Sequence, residues 1–200
     1  MAGATGARAC THCGQPRERF TRSVIIELTV PLVFAFLLGR YGLSLYLGLI
    51  SLYSAILILI TVTDLEHRLI FNVVTIPAIF LAVVVAFTTP YLSWRSAVLG
   101  GGLAFVLVYL AWLLGTLVYG HGALGVGDIT LATFLGLILG FPNIILSLIF
   151  GVFLGGLVAF ILLVIRRINR SSFIPYGPFL TITGWIMLIW GDEIWRYYFS

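Results

Sequence analysis

The stretch Ser96–Tyr119, SAVLGGGLAFVLVYLAWLLGTLVY, decides the fold. It carries no charged residue and exceeds the about 20 apolar residues that a helix needs to cross the hydrocarbon core of a bilayer. Working outward, six further apolar runs separated by short breaks fill most of the chain: Val24–Gly39, Tyr41–Thr63, Leu69–Thr89, Asp128–Gly140, Pro142–Ile165 and Pro175–Trp195. The run from Val24 is short and holds Glu27 and Pro31, and the run from Asp128 is shorter still. The pattern predicts an all-α, polytopic transmembrane helical bundle of about seven spans, six to seven.

Composition agrees. Of 200 residues, 61% are hydrophobic and 9% charged, where a soluble domain carries roughly a quarter charged residues. No water-facing surface can be tiled from so few charges. Residues 1–23 are expected to form a cytoplasmic N-terminal tail, and residues 24–200 one transmembrane domain. The first twenty residues, MAGATGARACTHCGQPRERF, have no apolar core, so no cleavable signal peptide is expected.

All eleven basic residues are arginine, and the net charge is +4. No basic stripe interleaved with aromatics suggests nucleic acid, so the lipid bilayer is the expected partner. Seven spans would gather Arg8, Arg17, Arg19, Arg22, Arg68, Arg166, Arg167 and Arg170 on one side, and leave Arg40, Arg95 and Arg196 on the other. The arginine-rich side is then cytoplasmic in a cell inner or plasma membrane. This orientation puts the ends of the spans bearing Asp64 and Asp128 at the cytoplasmic face. Glycine runs such as Gly100-Gly101-Gly102 and Gly151…Gly155-Gly156 read as close helix packing.

Two aspartates stand out. Between Ser96 and Ile165 the one formal charge is Asp128. A charge near the bilayer centre costs about 2.5–3.5 kcal/mol on insertion scales. Four glycines lie in the eight residues before it, Gly120–Gly127, where a substrate or another backbone could approach. The competing reading of Asp128 is a helix N-cap. Asp64 ends the run SAILILITVTD, where a carboxylate meets the negative end of the helix dipole, unless it caps the next helix. Glu66 falls on another face and is left out of the chemistry. His67 and His121 read as interfacial polar residues. Two carboxyls brought together can share a proton, since like charges cannot both ionise cheaply there. The ionised one activates water while the protonated one polarises a peptide carbonyl, with no metal required. The tail's Cys10 and Cys13 form one CxxC. One pair cannot close a four-ligand zinc site alone, so zinc and a free thiol pair both stay open.

At these residues the sequence resembles the type IV prepilin peptidase (leader peptidase) family of GxGD-type membrane aspartic proteases. Gly125-Val126-Gly127-Asp128 matches GxGD, with Gly125 and Gly127 as motif support. Asp64-Leu65-Glu66-His67-Arg68-Leu69-Ile70-Phe71-Asn72 resembles the stretch around the family's first aspartate. Ile174–Phe179, IPYGPF, resembles a late family element, and Cys10-Thr11-His12-Cys13-Gly14 the end of a cytoplasmic cysteine region. The resemblance implies that Asp64 and Asp128 are catalytic, and that the short basic leader of type IV prepilins or pilin-like secretion proteins is cleaved at the cytoplasmic face. No cofactor is implied for proteolysis. Three departures stand against the family pattern: Phe71 replaces a proline, Thr130 replaces a lysine, and one CxxC stands where larger members have two. Those larger members also N-methylate the product, which is not expected here. A presenilin-like protease, a proton-coupled transporter and a catalytically silent pilus-assembly partner are the rival readings.

Overall fold

The computed structural model describes residues 19–67, 69–119, 125–165 and 176–199. Among the described residues there are seven helices: α1 (Arg19–Tyr41), α2 (Leu45–His67), α3 (Asn72–Thr88), α4 (Trp94–Tyr119), α5 (Val126–Leu139), α6 (Asn143–Val164) and α7 (Gly177–Phe199). Each expected apolar run becomes one helix, with ends moved by a few residues. Leu45–His67, Trp94–Val118 and Asn143–Val164 are long and apolar enough to cross a membrane, while α3 and α5 are shorter apolar helices. α7 is as long as α2, but it carries Asp192, Glu193 and Arg196. Phe80, Leu117, Phe153 and Phe160 face outward. Such side chains would be a liability in water and are at home in lipid. The chain is a multi-pass membrane protein.

The described residues up to Ser51 form one compact unit, and those from Leu52 onward another. In the first, α1 continues through Pro31 and ends at a glycine cap: Gly42 has φ +59 and its N–H donates to Leu38 O at 3.0 Å. Ser44 then caps α2, its Oγ accepting from the Leu47 N–H at 3.1 Å.

In the second unit α5 is the centre. Its 14 residues reach about 21 Å at 1.5 Å per residue, short of the hydrocarbon thickness. It is covered by protein instead: α3, α4, α6 and α7 all pack on it, and Leu131, Ala132, Phe134 and Leu135 are wholly buried. The tightest approach is between Gly100 on α4 and Gly136 on α5, where a Cβ on Gly100 would lie 2.5 Å from the Gly136 carbonyl oxygen. By contrast, a Cβ on Gly102 would meet open space. The glycine runs thus serve packing, but only through the glycines that face a neighbour.

Hydrogen bonds fix the register of α7. Thr61 Oγ1 donates to Thr181 Oγ1 at 2.7 Å, and Trp185 Nε1 to Ser54 Oγ at 3.0 Å. Later residues of α7 thus meet earlier residues of α2, so the two run antiparallel. Thr183 Oγ1 donates to Ser147 O at 3.0 Å, and Asn143 Nδ2 to Asp192 Oδ1 at 3.0 Å. α6 is antiparallel to α7 as well. The consequence for the site is that the C-terminal end of α2 meets the N-terminal end of α7.

Candidate active site

Asp64 lies in the last turn of α2 and is 4% exposed. It does not cap α3, whose N-cap is Phe71. One turn earlier Thr61 bonds α7, so the Asp64 face of α2 is turned toward that helix. The backbone N–H of Gly177, the first residue of α7, is directed at the Asp64 carboxyl. The fit leaves no room, because a Cβ at Gly177 would collide with Oδ2. Asp64 Oδ2 is buried and has no hydrogen-bond partner among the described residues. A buried polar oxygen left unpaired is costly and calls for an explanation, of which a catalytic role or a bound water is one.

Asp128 is 8% exposed. The expected alternative, that it is the N-cap of its helix, is corrected by the structure: α5 begins two residues earlier, with Gly125 as N-cap. Asp128 occupies the third helical position, and its Oδ2 accepts from the Gly125 N–H at 3.0 Å. The carboxylate still serves the helix start, but from inside the first turn and with Oδ2 alone.

The two carboxyls, on α2 and α5, are close enough to interact electrostatically. Ile70 is wedged between their supports. A Cβ at Gly127 would lie 2.7 Å from Ile70 Cβ, and one at Gly177 would lie 3.2 Å from Ile70 Cδ1. Gly127 is therefore required by close approach, as is Gly177. Tyr176, in the bend before α7, is in electrostatic reach of Asp128. Its ring packs on Gly155, where a Cβ would lie 3.5 Å from Cδ2.

The structure thus brings together Asp64, Asp128, Gly125 and Gly127. Glu66 stays outside, exposed, with Oε2 at 3.9 Å from His67 Nε2. Phe71 has an extended backbone (φ −75, ψ 110) and its ring meets His67 edge to face at 5.9 Å, so the turn is made without a proline. Ile70, Tyr176 and Gly177 are additions to the site. The signal available in sequence for the last two was the IPYGPF resemblance; Ile70 lay within the stretch resembling the family's first-aspartate region, but nothing there pointed to its contacts with Gly127 and Gly177. Cys10, Cys13, Arg68, His121 and the glycines before Gly125 lie outside the described residues.

Fold and site together define a polytopic helical membrane protein with two buried aspartates contributed by separate helices. The chain belongs to the Type IV leader peptidase family, which matches residues 50–160 and so includes both aspartates. It is 28% identical over 177 residues to a prepilin leader peptidase/N-methyltransferase of Pseudomonas aeruginosa, covering 88% of this chain and 61% of that protein. It is 29% identical over 176 residues to the protein of the same name from Neisseria gonorrhoeae, covering 88% and 60%. The similarity to the Aeromonas salmonicida protein of that name is 30% over 149 residues, covering 74% and 51%. The chain therefore spans about 60% or less of the length of these relatives. No solved structure matches it.

Proposed function

We propose that this chain is a membrane aspartic endopeptidase that removes the leader peptide of type IV prepilins or pilin-like secretion proteins, with Asp64 and Asp128 as its catalytic pair. The observation that carries the reading is that two buried carboxyls, on α2 and α5, lie within electrostatic reach of each other, one of them with an unpaired oxygen facing Gly177. Like charges at such a site cannot both ionise cheaply, so the pair shares a proton. The ionised carboxylate takes a proton from water as that water attacks the scissile carbonyl carbon. The protonated carboxyl donates to the carbonyl oxygen, giving a neutral tetrahedral diol. Collapse of the diol breaks the C–N bond as the leaving nitrogen takes up a proton. Neither a metal nor a covalent intermediate takes part.

The cytoplasmic face is the proposed side of cleavage. A prepilin presents a charged leader outside the bilayer followed by an apolar helix within it, and its scissile bond lies at the boundary. Both aspartates belong to helix ends, which suits that boundary. The reading is confined to peptide-bond cleavage; methyl transfer and a zinc on Cys10 and Cys13 are not part of it.

The test is prepilin cleavage by the purified full chain in lipid. Asp64→Asn and Asp128→Asn are each expected to abolish turnover while the chain still inserts, and Glu66→Gln to keep most of it. Robust cleavage by either aspartate variant would refute the dyad.

A further inference from the structure

Thr130 stands two residues after Asp128, and residues so spaced on a helix face different ways. Its hydroxyl turns to the start of α3. Three groups converge there: Thr130 Oγ1 donates to Gly127 O at 2.9 Å and to Asn72 Oδ1 at 3.2 Å, and lies 3.3 Å from Thr75 Oγ1. The two donated bonds share one hydroxyl proton, while Thr75 brings a second. Thr75 is wholly buried and Asn72 exposed, so the cluster runs from the interior to the rim of the bundle.

The place of these bonds gives them a consequence. The first turn of α5 contains Gly127 and is preceded by Gly125, which together give it little intrinsic helix propensity. Its position must be imposed from outside. Ile70, two residues before Asn72, limits how closely Gly127 can approach, and the same side chain abuts Gly177 beside Asp64. Contact with Ile70 sets a stop, but an apolar contact does not fix height along the helix axis. The directional bonds of Thr130 with Asn72 and Thr75 do.

We propose that Thr130, held by Asn72 and Thr75, is a positioning residue that sets the depth of Asp128 against Asp64. Its effect on rate rests on the peptidase reading above; its effect on geometry does not. The experiment therefore reads both. In prepilin cleavage by the full chain, Thr130→Val is expected to lower kcat about tenfold to a hundredfold, the scale of loss from a small misplacement of a reacting group. KM should move little, since substrate binding is not touched. Thr130→Ser, which restores the hydroxyl, should recover most of the loss, and Asn72→Ala should fall between.

In parallel, Asp64→Cys and Asp128→Cys are combined in a chain carrying Cys10→Ser and Cys13→Ser. The pair is then bridged by a short bifunctional thiol reagent that fluoresces only when both arms have reacted. Bridging yield is expected to fall severalfold when Thr130→Val or Asn72→Ala is added, and to return with Thr130→Ser. Unchanged bridging with both Thr130→Val and Asn72→Ala overturns the proposal, whatever the rate does. A parent chain that cleaves no prepilin, yet loses bridging with Thr130→Val, upholds the positioning role and removes the peptidase reading instead. Because Asn72 is exposed, its variant gives the geometric readout even if Thr130→Val fails to insert.

Discussion

Gly177 lies directly against the carboxyl of Asp64, so that a single methyl group on Gly177 would run into Oδ2. The first turn of α7 is thereby part of the site. It brings backbone N–H and the positive end of a 23-residue helix to a carboxylate at the end of α2, where that carboxylate's own helix dipole is unfavourable. Gly177→Ala is expected to push the carboxyl aside rather than unfold the bundle, because the conflict is with the end of a side chain. Cleavage kcat should fall about tenfold to a hundredfold while detergent-extracted yield stays near that of the parent chain. A fully active Gly177→Ala variant would show that the contact does not constrain Asp64.

A different pair of glycines bears on stability. Gly100 and Gly136 meet backbone to backbone, so neither can accept a Cβ without separating α4 from α5. Overpacking of this kind costs about 1–3 kcal/mol, and backbone cannot turn away as a side chain does. Gly136→Ala should therefore lower the thermal midpoint of the purified protein clearly. Gly102→Ala, two residues from Gly100 but facing open space, should be neutral or slightly stabilising, as alanine favours helix. Equal midpoints for the two variants would overturn this assignment of the α4–α5 seam.

The difference between Gly100 and Gly102 also marks what the sequence could tell. Seven apolar runs became seven helices because length and hydropathy alone determine whether a segment must be helical in lipid. Asp64 and Asp128 were legible for the same reason, as carboxylates in places where lipid makes them expensive. Facing was not legible. Helices that are apolar all round carry no periodic stripe to say which side meets a neighbour, so Gly100 and Gly102 read alike. The contacts of Ile70 with Gly127 and Gly177, and of Thr130 with Asn72 and Thr75, join segments distant in the chain and left no local signal. Asp128 as a cap was a half-right expectation, since one short-range bond to Gly125 coexists with electrostatic reach to Asp64 on another helix.

The CxxC of the tail gives a prediction that depends on chemistry rather than on contacts. The proposed hydrolysis uses two carboxyls and water, and one cysteine pair supplies only half the ligands of a structural zinc site. Cys10→Ser with Cys13→Ser is expected to leave prepilin cleavage within about twofold of the parent chain, the range in which kinetic differences carry little free energy. Given a mature pilin N-terminus and a methyl donor, the parent chain should transfer no methyl group. Methylated product, or loss of cleavage on removing a tightly bound zinc, would overturn both expectations.

The antiparallel register of α2 and α7 makes the last prediction, which concerns the membrane itself. Thr61 meets Thr181 and Ser54 meets Trp185, so moving up α2 toward Asp64 is moving back along α7 toward Gly177. From Gly177 the helix runs 23 residues to Phe199, about 34 Å at 1.5 Å per residue, enough to reach the opposite side of the hydrocarbon core. Glu66, just beyond Asp64, and Glu193, toward the far end of α7, are therefore expected at opposite faces. Single cysteines introduced as Glu66→Cys or Glu193→Cys, in a chain carrying Cys10→Ser and Cys13→Ser, should be modified by a membrane-impermeant thiol reagent from opposite sides of sealed inner-membrane vesicles. With the arginine-rich ends inside, Glu66→Cys should react in inverted vesicles and Glu193→Cys in right-side-out ones. Reaction of both from the same side would contradict the register of α7. Reaction from opposite sides in the reverse sense would keep the register and move the aspartate pair away from the cytoplasmic face, where a prepilin leader could not reach it.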